Sequence, residues 1–400
     1  MNHALQHVRN SFTRVLLVTL CYLTSPWHVS ARRPIDPKTC QRIMILALAQ
    51  LGDTVAITPL IRQVRVHYPQ ARIYVASKAA YRDLLAHNND IDEFVAFSEE
   101  GVRDFITYVK RAHIDVAVLP QANAVALAGL YLGGVRHIIT IRVVHEVGAS
   151  VSSYDRLHDT ASFNALRSLV VSLPLRVGYN MLKEHLTLLE PLGIVTSDTR
   201  SKLGYSEGAR AVVNAFYTTH GITPNKDFIV IIFPSSGNKA KNWVASRFAE
   251  VAEYVQKTYG AKVVIIGGPT DTEEVSNVLK SLPPGVTVVD ASNAFALDEL
   301  KAFIASANLF ISVDAGPLHI AIAFDVPTID ILGPAPDWVA YQDEFHLALS
   351  NRGDAEPAMH PLRNREFDYA EARRQAEAIT TAQVTHAVDK LHNLITSRSL

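Results

Sequence analysis

Short apolar segments alternate with amphipathic segments along most of the chain from Gln41 onward. The apolar segments are rich in β-branched residues, which predicts strands, and the amphipathic segments repeat apolar residues at helical spacing. Such alternation is typical of an α/β fold, in which helices cover both faces of a parallel sheet. The predicted strands are Arg42–Leu48, Arg72–Ala76, Ile114–Leu119, His137–Ile141, Phe228–Phe233, Lys262–Ile266, Val286–Val289, Leu309–Val313 and Thr328–Leu332. The predicted helices between them are Val55–His67, Val102–Ala112, Arg247–Tyr259, Thr272–Leu282 and Asp298–Ser306.

The predicted strands fall into two groups, 42–141 and 228–332, which indicates two doubly wound domains. A helical run is predicted between the groups, over Ser162–Leu192, and a polar segment follows it. We therefore expect an N-terminal domain over residues 41–200 and a C-terminal domain over 205–365, joined near 196–225. The tail Tyr369–Thr396 predicts a long helix within a C-terminal segment of residues 366–400.

The first 40 residues form a segment of different character, with the apolar run Val15–Leu23 between arginines. This run is shorter than the roughly 20 residues that a membrane-spanning helix needs. One hypothesis is a secretory signal peptide, since small residues occur at Val29–Ala31. Another is a disordered or interfacial leader that sets apolar side chains against lipid and arginines against anionic head groups. A third is an extension without function. The lipid-facing side chains would be Phe12, Leu16, Leu17, Leu20, Leu23 and Trp27.

Composition excludes several classes of protein. The 400 residues carry 38 basic and 39 acidic side chains, for a formal net charge of −1. This balance creates no overall positive potential that would attract nucleic acid, so any anionic ligand must be bound by a local site. The two cysteines, Cys21 and Cys40, lack the spacing of a disulfide framework, a redox pair or a metal site. We therefore expect a protein of a reducing compartment, the cytoplasm.

A glycine and a carboxylate follow the first predicted strand, in Leu51-Gly52-Asp53-Thr54. Ligands of doubly wound sheets bind at the carboxyl ends of strands, so this loop is a candidate site. Asp53 is also a favoured residue for capping the helix that follows. Capping and catalysis both remain open for it.

A polar loop follows the strand at Phe228–Phe233. Ser235, Ser236 and the backbone at Gly237 can donate to phosphate oxygens, and Lys239 or Lys241 can supply a cation. The alternative is an ordinary polar loop with solvated lysines.

A third candidate is the strand–turn–helix in which Asp314 ends a strand and Gly316-Pro317 opens a helix. Proline suits the first helical position, because its missing N–H would have no partner there. The amides and dipole of such a helix start favour an anion. His319 lies one short turn later, where a structural role is the alternative.

Two weaker patterns carry no prediction of a site. Gly267-Gly-Pro269 follows a strand but lacks the GxGxxG spacing of a dinucleotide fingerprint. Asp90 and Asp92 have the spacing of a metal–nucleotide motif, but they lie in a polar stretch where turn carboxylates are common.

The order of these motifs resembles glycosyltransferase family 9, the ADP-heptose:lipopolysaccharide heptosyltransferases. The similarity extends from about Arg42 to Trp338. The matching motifs are Leu51-Gly-Asp53 with Thr58-Pro59, Lys241-Asn-Trp243, Gly267-Gly-Pro269, Ser312-Val-Asp-Ala-Gly-Pro-Leu-His319 and Gly333-Pro334. The resemblance implies the GT-B architecture, two Rossmann-like domains that face each other across a cleft. It also implies an acceptor on the N-terminal half, a nucleotide sugar on the C-terminal half, and a last helix that crosses back to the N-terminal domain.

The resemblance also implies roles for individual residues. Asp53 matches the general base, and Gly52 and Thr54 beside it would lie on the acceptor side. Lys241 matches a residue that contacts the leaving diphosphate. The remaining donor-binding residues would be Ser235, Ser236, Gly237, Asp314, Ala315, Gly316 and His319. The sequence departs from the family at Ala315, where a threonine is usual, and at Pro234-Ser-Ser-Gly237, where a Pro-Gly turn is usual.

The implied function is inverting, metal-independent transfer of a sugar, a heptose from ADP-heptose, to a hydroxyl of a glycan or lipopolysaccharide core. The nucleotide diphosphate sugar would be a substrate, and no cofactor is expected. The enzyme would act in the cytoplasm with peripheral contact to the inner membrane, and without nucleic acid. Two alternatives are a GT-B epimerase or hydrolase of nucleotide sugars, and a non-catalytic two-domain protein that binds a sugar ligand.

Overall fold

Two parallel six-stranded sheets organise the part of the chain that the computed structural model describes, residues 2–25, 35–144, 160–224, 226–359 and 367–398. By internal packing, the chain divides into two units. Unit 1 comprises Met1–Leu85 and Asn89–Arg200, and unit 2 comprises Ala86–Asn88 and Ser201–Leu400. The division after Arg200 lies within the stretch 196–225, where the sequence predicts the junction.

Unit 1 has the strand order β3-β2-β1-β4-β5-β6. Its strands are β1 (Arg42–Ala47), β2 (Arg72–Ser77), β3 (Glu93–Ala96), β4 (Val116–Leu119), β5 (His137–Val144) and β6 (Val171–Arg176). Its helices are α1 (Asn2–Thr24), α2 (Leu51–Ala56), α3 (Thr58–His67), α4 (Arg82–Leu85), α5 (Val102–Ala112), α6 (Ala124–Leu132), α7 (Thr160–Arg167) and α8 (Met181–Leu186). All five neighbouring strand pairs are parallel. The central strands β1 and β4 are almost wholly buried, which explains their continuous apolar sequence.

The predicted helical run Ser162–Leu192 is wrong in its middle. Strand β6 separates the helices α7 and α8, and it pairs with β5 at the edge of the sheet. Pro174 lies within β6 and cannot donate a ladder hydrogen bond, a defect that edge strands tolerate.

Residues 2–24, within the segment expected to be a disordered or interfacial leader, form helix α1, which packs against α6 and α7. Leu17 and Cys21 are buried, and Arg14 forms an ion pair with Glu99 at 3.1 Å. The hydroxyl of Tyr22 donates to the carbonyl of Ala165 at 2.9 Å. Leu17 therefore faces its own unit, contrary to the lipid-facing position predicted for it. The predicted cleavage motif at Val29–Ala31, Trp27 and the side chain of Phe12 lie outside the described residues.

Unit 2 repeats the same order, as β12-β11-β10-β7-β8-β9. Its strands are β7 (Ile229–Phe233), β8 (Lys262–Ile265), β9 (Val288–Asp290), β10 (Leu309–Val313), β11 (Thr328–Ile331) and β12 (His346–Leu349). Its helices are α9 (Glu207–Thr219), α10 (Ala245–Tyr259), α11 (Thr272–Lys280), α12 (Leu297–Ile304), α13 (Gly316–Ala323), α14 (Tyr369–Glu377) and α15 (Thr381–Arg398). Two sheets in the 3-2-1-4-5-6 strand order of a Rossmann fold confirm the predicted fold class.

The C-terminal helix was expected to cross back to the N-terminal domain, but it packs within unit 2. The predicted single helix is interrupted between α14 and α15, and Val384, Val388 and Leu391 of α15 are buried in the unit 2 core. The indole N–H of Trp243 donates to the carbonyl of Ile379 at 2.8 Å, between the two helices. Hydrophobic burial and this buried hydrogen bond therefore fix the tail to unit 2.

The segment Ala86–Asn88 belongs to unit 2 although both of its neighbours in sequence belong to unit 1. The fully buried Lys301 donates to the carbonyls of Ala86, at 3.2 Å, and Gly204, at 2.5 Å, and pairs with Asp298 at 3.1 Å. A Cβ on Gly204 would lie 2.0 Å from the carbonyl oxygen of His87, so only glycine fits this close approach. Unit 2 is thus built from two separate stretches of sequence.

No helix in the described ranges has both the length and the apolar character required to cross a membrane.

Candidate active site

Asp53 lies in the first turn of α2, directly after the carboxyl end of β1, and its side chain is exposed. One carboxylate oxygen, Oδ2, accepts a hydrogen bond from the backbone N–H of Gln50 at 3.0 Å. Asp53 is therefore part of the helix N-terminus, as the capping interpretation predicts. The interaction occupies one oxygen, so an exposed carboxylate still faces solvent for chemistry.

Two residues beside Asp53 were not identified from the sequence, Tyr81 and His185. Burial raises the pKa of Tyr81, and the charge of Asp53 adds to that effect. Burial lowers the pKa of His185 to about 4, although Asp53 and Glu184 act in the opposite direction. His185 is thus neutral at pH 7, and it places a neutral imidazole rather than a cation near Asp53. Neither residue lies in a motif. His185 is brought here by the packing of α8 on α3, and Tyr81 by a turn from which its hydroxyl donates to the side chain of Gln50 at 3.4 Å.

Gly52 and Thr54, the predicted acceptor-side residues, are both buried. The hydroxyl of Thr54 donates to the carbonyl of Gln50 at 2.9 Å, within the same turn. The Thr54 side chain is therefore used in the helix start, and the acceptor-side role of both residues stays a prediction.

Lys241 and Asp314 meet at the carboxyl edge of the unit 2 sheet, although 73 positions separate them in sequence. The Lys241 Nζ lies 2.6 Å from Oδ2 of Asp314, and both side chains are largely buried. Asn238 caps the turn Lys239–Lys241 by accepting from the N–H of Ala240, which fixes the lysine after β7. Burial acts to raise the pKa of Asp314, but Lys241 and His319 outweigh it, so the net direction is downward. The predicted cation and carboxylate thus form one site.

The serine loop before Lys241 matches its prediction only in part. Ser235 is fully buried, and its hydroxyl has no hydrogen-bond partner among the described residues. The backbone N–H of Ser236 donates to Oδ1 of Asn242 at 2.9 Å and is therefore used within the loop. Gly237 is exposed, with open space around its Cα. The hydroxyl of Ser235 is therefore one donor of this loop that remains for an oxygen ligand.

Helix α13 starts beside this pair, at Gly316, with Pro317 in its first turn and Ala315 at the N-cap. Ala315 supplies no side-chain cap, although its carbonyl accepts from the N–H of Leu318 at 3.2 Å. Pro317 has no N–H, so the N–H of Gly316 is the first amide that the helix presents. His319 lies close enough to Asp314 to influence its ionisation. The arrangement provides a cation and a helix N-terminus together, and that combination favours a bound anion.

The other loop lysine and the Asp90/Asp92 motif have structural roles. Lys239 pairs with Glu274, which also accepts from the side chain of Asn242 at 3.2 Å. Asp92 pairs with Arg65 at 2.5 Å and accepts from the N–H of Ile73 at 2.7 Å. Within the described ranges, no group of three or more His, Cys, Asp or Glu side chains could hold a metal ion.

Comparison with protein families places these residues in context. Residues 153–353 match the model of glycosyltransferase family 9 (heptosyltransferase). Lipopolysaccharide heptosyltransferase 3 of Escherichia coli K12 is 25% identical over 334 residues, which cover 79% of this chain and 90% of that protein. Lipopolysaccharide heptosyltransferase 2 of the same strain is 24% identical over 314 residues, or 74% and 84% of the two chains.

Solved structures share the fold at low sequence identity. A glycosyl transferase family 9 protein from Veillonella parvula superimposes with a TM-score of 0.68 at 23% identity, covering 90% of this chain and 98% of that one. The ADP-heptose lipopolysaccharide heptosyltransferase II of E. coli gives a TM-score of 0.68 at 16% identity, covering 90% and 100%. These similarities extend across both units.

Proposed function

The chain belongs to glycosyltransferase family 9 and is therefore a glycosyltransferase; from that premise we propose that it transfers a heptose from ADP-heptose to a hydroxyl of a lipopolysaccharide core. The observation that carries the proposal is the Lys241–Asp314 pair beside the start of α13, at the carboxyl edge of the unit 2 sheet. A buried cation and a helix N-terminus together suit the diphosphate of a nucleotide sugar. The heptosyltransferase names of the relatives support heptose as the sugar.

The transfer proceeds by a single displacement with inversion. The acceptor oxygen forms a bond to the anomeric carbon while the bond from that carbon to the diphosphate oxygen breaks. The nucleoside diphosphate leaves with the electron pair, and the proton of the acceptor hydroxyl passes to the carboxylate of Asp53. General-base catalysis of this kind contributes about 10²–10⁴-fold to the rate.

Charge that develops on the leaving diphosphate is stabilised by Lys241, by the N–H of Gly316 at the start of α13 and by the buried hydroxyl of Ser235. Ala315 brings no hydroxyl to this site, so the contribution of Lys241 is correspondingly important. Because these groups supply the positive potential, we expect transfer without a metal ion or another cofactor.

The role of Asp53 is tested with Asp53→Asn. The asparagine carbonyl oxygen can still accept from the N–H of Gln50, so the helix start and the thermal stability are retained. An amide cannot take the proton, so kcat for transfer from ADP-heptose falls by about 10²-fold or more. The assay follows heptosylated product by mass spectrometry, alongside Tm and donor affinity.

Asp83→Asn is the matched control, because Asp83 is an exposed carboxylate near the start of α4. It leaves kcat unchanged. Retained transfer by Asp53→Asn would exclude Asp53 as the base. ADP or free sugar formed by the wild type without acceptor, at the rate seen with acceptor, would favour a hydrolase over a transferase.

Peripheral attachment to an anionic bilayer is the second part of the proposal, because a lipopolysaccharide core is carried by a lipid. Helix α1 exposes large apolar side chains on two turns, while its other face is buried against unit 1. They are Val15 at 62%, Leu16 at 44%, Leu20 at 39%, Tyr22 at 44% and Leu23 at 65% exposed. Residues 1–35 include four arginines, of which Arg14 is paired with Glu99, and no acidic residue. An apolar helix face within a basic segment is complementary to an anionic membrane surface.

A vesicle sedimentation assay tests this attachment. The double variant Leu16→Glu/Leu23→Glu is expected to bind vesicles of phosphatidylglycerol and phosphatidylethanolamine at least about tenfold more weakly, since each leucine buried in lipid contributes about 1.5–3 kcal/mol. The control Val195→Glu/Val212→Glu adds the same charge at exposed valines outside α1 and leaves binding unchanged. Equal loss in both variants, or wild-type binding that is the same on phosphatidylcholine, would exclude α1 as the anionic-lipid surface.

A further inference from the structure

Asp330 is a buried carboxyl group beside the proposed diphosphate site, and neither the motifs nor the mechanism above uses it. It lies in β11, where an acidic residue interrupts a run of apolar side chains. It is 5% exposed, and its Oδ1 has no hydrogen-bond partner among the described residues. A buried polar atom without a hydrogen-bond partner destabilises the folded state, so the presence of Asp330 at this position requires an explanation.

The strand register places Asp330 next to Asp314. Asp330 pairs with Ser312 of β10 and with Ala348 of β12. Side chains alternate along strands, so Ile329 and Ile331 point into the core on the opposite face, as Ile311 and Val313 do. Asp330 therefore shares its face with Ser312, and with Asp314 where β10 ends. The parallel pairing of β10 and β11 therefore places the carboxyl groups of Asp314 and Asp330 near each other and near Lys241.

The ionisation of Asp330 follows from its surroundings. Burial raises the pKa of Asp330 well above its usual value, the negative charge of Asp314 raises it further, and Lys241 only partly offsets these effects. Two adjacent buried carboxyl groups cannot both ionise readily. Asp330 is thus the neutral member of the pair and has one O–H to donate.

The proposed transfer creates a need for that donor. Lys241 is bonded to Asp314 in this structure, yet the mechanism requires it to contact the leaving diphosphate. When the Lys241 ammonium moves toward the phosphates, its ion pair with Asp314 weakens. The Asp314 carboxylate then stays largely buried without a close cation. A buried carboxylate in that position is strongly destabilising unless another group donates to it.

We propose, resting on the donor role of Lys241 above, that Asp330 is a positioning residue which, as a neutral acid, donates a hydrogen bond to Asp314 when Lys241 engages the donor diphosphate. The two carboxyl groups then hold one proton between them throughout the reaction, and no bond to the substrate is made by Asp330. Donor affinity consequently depends on the proton of Asp330 and decreases when that proton is lost at high pH.

The remaining titratable groups near Asp330 are accounted for. On α13, His319 acts on Asp314. On β12, His346 lies on the same face two positions from Ala348, and its Nδ1 is 2.9 Å from the hydroxyl of Thr328. Burial lowers the pKa of His346, so this residue is neutral across the range from pH 7 to 9 and does not contribute to the titration there. Helix α15 presents apolar residues to the opposite face of the strand.

The experiment measures the affinity for ADP-heptose by calorimetry between pH 7 and 9, where His346 is neutral. Asp330→Asn keeps a neutral donor at every pH, so it retains wild-type affinity at pH 7 within about threefold and loses the decrease at high pH. Asp330→Ala removes the donor and binds at least about tenfold more weakly at pH 7, with the KM for acceptor unchanged. The control Asp354→Asn, at an exposed position, keeps the wild-type affinity and pH profile.

Three outcomes would overturn the inference while leaving the proposed function intact. These are wild-type affinity in Asp330→Ala, an unchanged pH profile in Asp330→Asn, and equal weakening in both variants, which is the result of a purely structural role. A wild-type protein that binds no ADP-heptose would instead overturn the proposed donor, and this inference with it.

A second measurement does not depend on the donor. A carboxyl group with a higher pKa in the folded protein binds more protons there than in the unfolded chain, so stability falls as pH rises toward the folded pKa. The Tm of Asp330→Asn should therefore decrease less than the wild-type Tm as pH is raised above 5. Parallel Tm curves would show that Asp330 is not held neutral and would overturn the inference.

Discussion

At the scale of single residues, Lys241 interacts with two anionic groups, Asp314 and, in the proposed reaction, the diphosphate of the donor. Its ammonium neutralises the buried Asp314 at 2.6 Å in the free protein, and in the proposed reaction it also contacts the diphosphate. The same cation therefore supports both folding and donor binding. A substitution at this position is expected to affect stability and activity together, and the two effects must be measured separately.

Lys241→Ala is expected to raise the KM for ADP-heptose by about 10–100-fold, because a hydrogen bond to a charged group contributes about 1.5–3 kcal/mol. The KM for acceptor should change little, since Lys241 lies on the donor side. Steady-state kinetics with each substrate varied in turn measure the two constants.

Lys239→Ala removes a lysine from the same turn and serves as the control, because Lys239 is paired with Glu274. It should leave both constants near their wild-type values. The double variant Lys241→Ala/Asp314→Asn should recover Tm relative to Lys241→Ala, since no buried carboxylate then lacks its cation. Equal increases in both KM values for Lys241→Ala would contradict the donor-side assignment.

The residues that the sequence identifies are those in loops at strand ends. Lys241 and Asp314 could be predicted as donor-binding residues from motif order, and the structure brings them within 2.6 Å of each other. Their donor-binding roles and the role of Asp53 as base stay predictions. Asp330 and His185 could not be identified in this way, because each is one letter within an apolar or mixed segment. The proximity of Asp330 to the site depends on strand register, and that of His185 depends on how α8 packs. Neither feature can be read from the hydrophobic pattern or the motifs of a single sequence.

At the scale of elements, the strands missed from the sequence are β3, β6 and β12, and all of them lie at sheet edges. Edge strands are covered less completely than central ones, so their apolar pattern is weaker. Only one of the four positions is buried in each of β3 and β12, in contrast to the fully buried β7 and β10. Hydrophobic pattern therefore predicts the centre of each sheet better than its margin.

Helix α15 is an element whose sequence predicts its presence but not its location. Leu391 is fully buried in the unit 2 core, so Leu391→Ala is expected to destabilise the protein by about 2–5 kcal/mol. Thermal and urea unfolding measure the change. Asn393→Ala, at an exposed position of the same helix, should change stability by less than about 0.5 kcal/mol. Similar stabilities for Leu391→Ala and the wild type would contradict the packing of α15 on unit 2.

At the scale of the whole molecule, the alternation of strand and helix was sufficient to predict two Rossmann-like sheets. Each sheet needs only a repeated local pattern, and right-handed crossovers then restrict its topology. The position of the tail required more, because α15 could cover apolar surface on either unit as far as its own sequence is concerned. The packing of Val384 and Val388 in the unit 2 core determines which unit α15 joins, and that packing depends on residues far away in sequence.

The near-zero net charge of the chain is also informative at this scale. With a formal charge of −1, attraction of a diphosphate cannot come from a general field and must come from local groups. The described site meets this requirement with one buried lysine and one helix start.

The assignment of Ala86–Asn88 to unit 2 has a consequence for dividing the gene. A fragment that begins at Ser201 would include Lys301 and Gly204 but lack the Ala86 carbonyl that accepts from that lysine, leaving a fully buried ammonium short of an acceptor. A fragment that ends at Arg200 would carry residues 86–88 without the surface on which they pack. Swapping halves between family members at the junction after Arg200 would therefore combine Lys301 of one parent with residues 86–88 of the other. Chimeras should transfer residues 86–88 together with the C-terminal half.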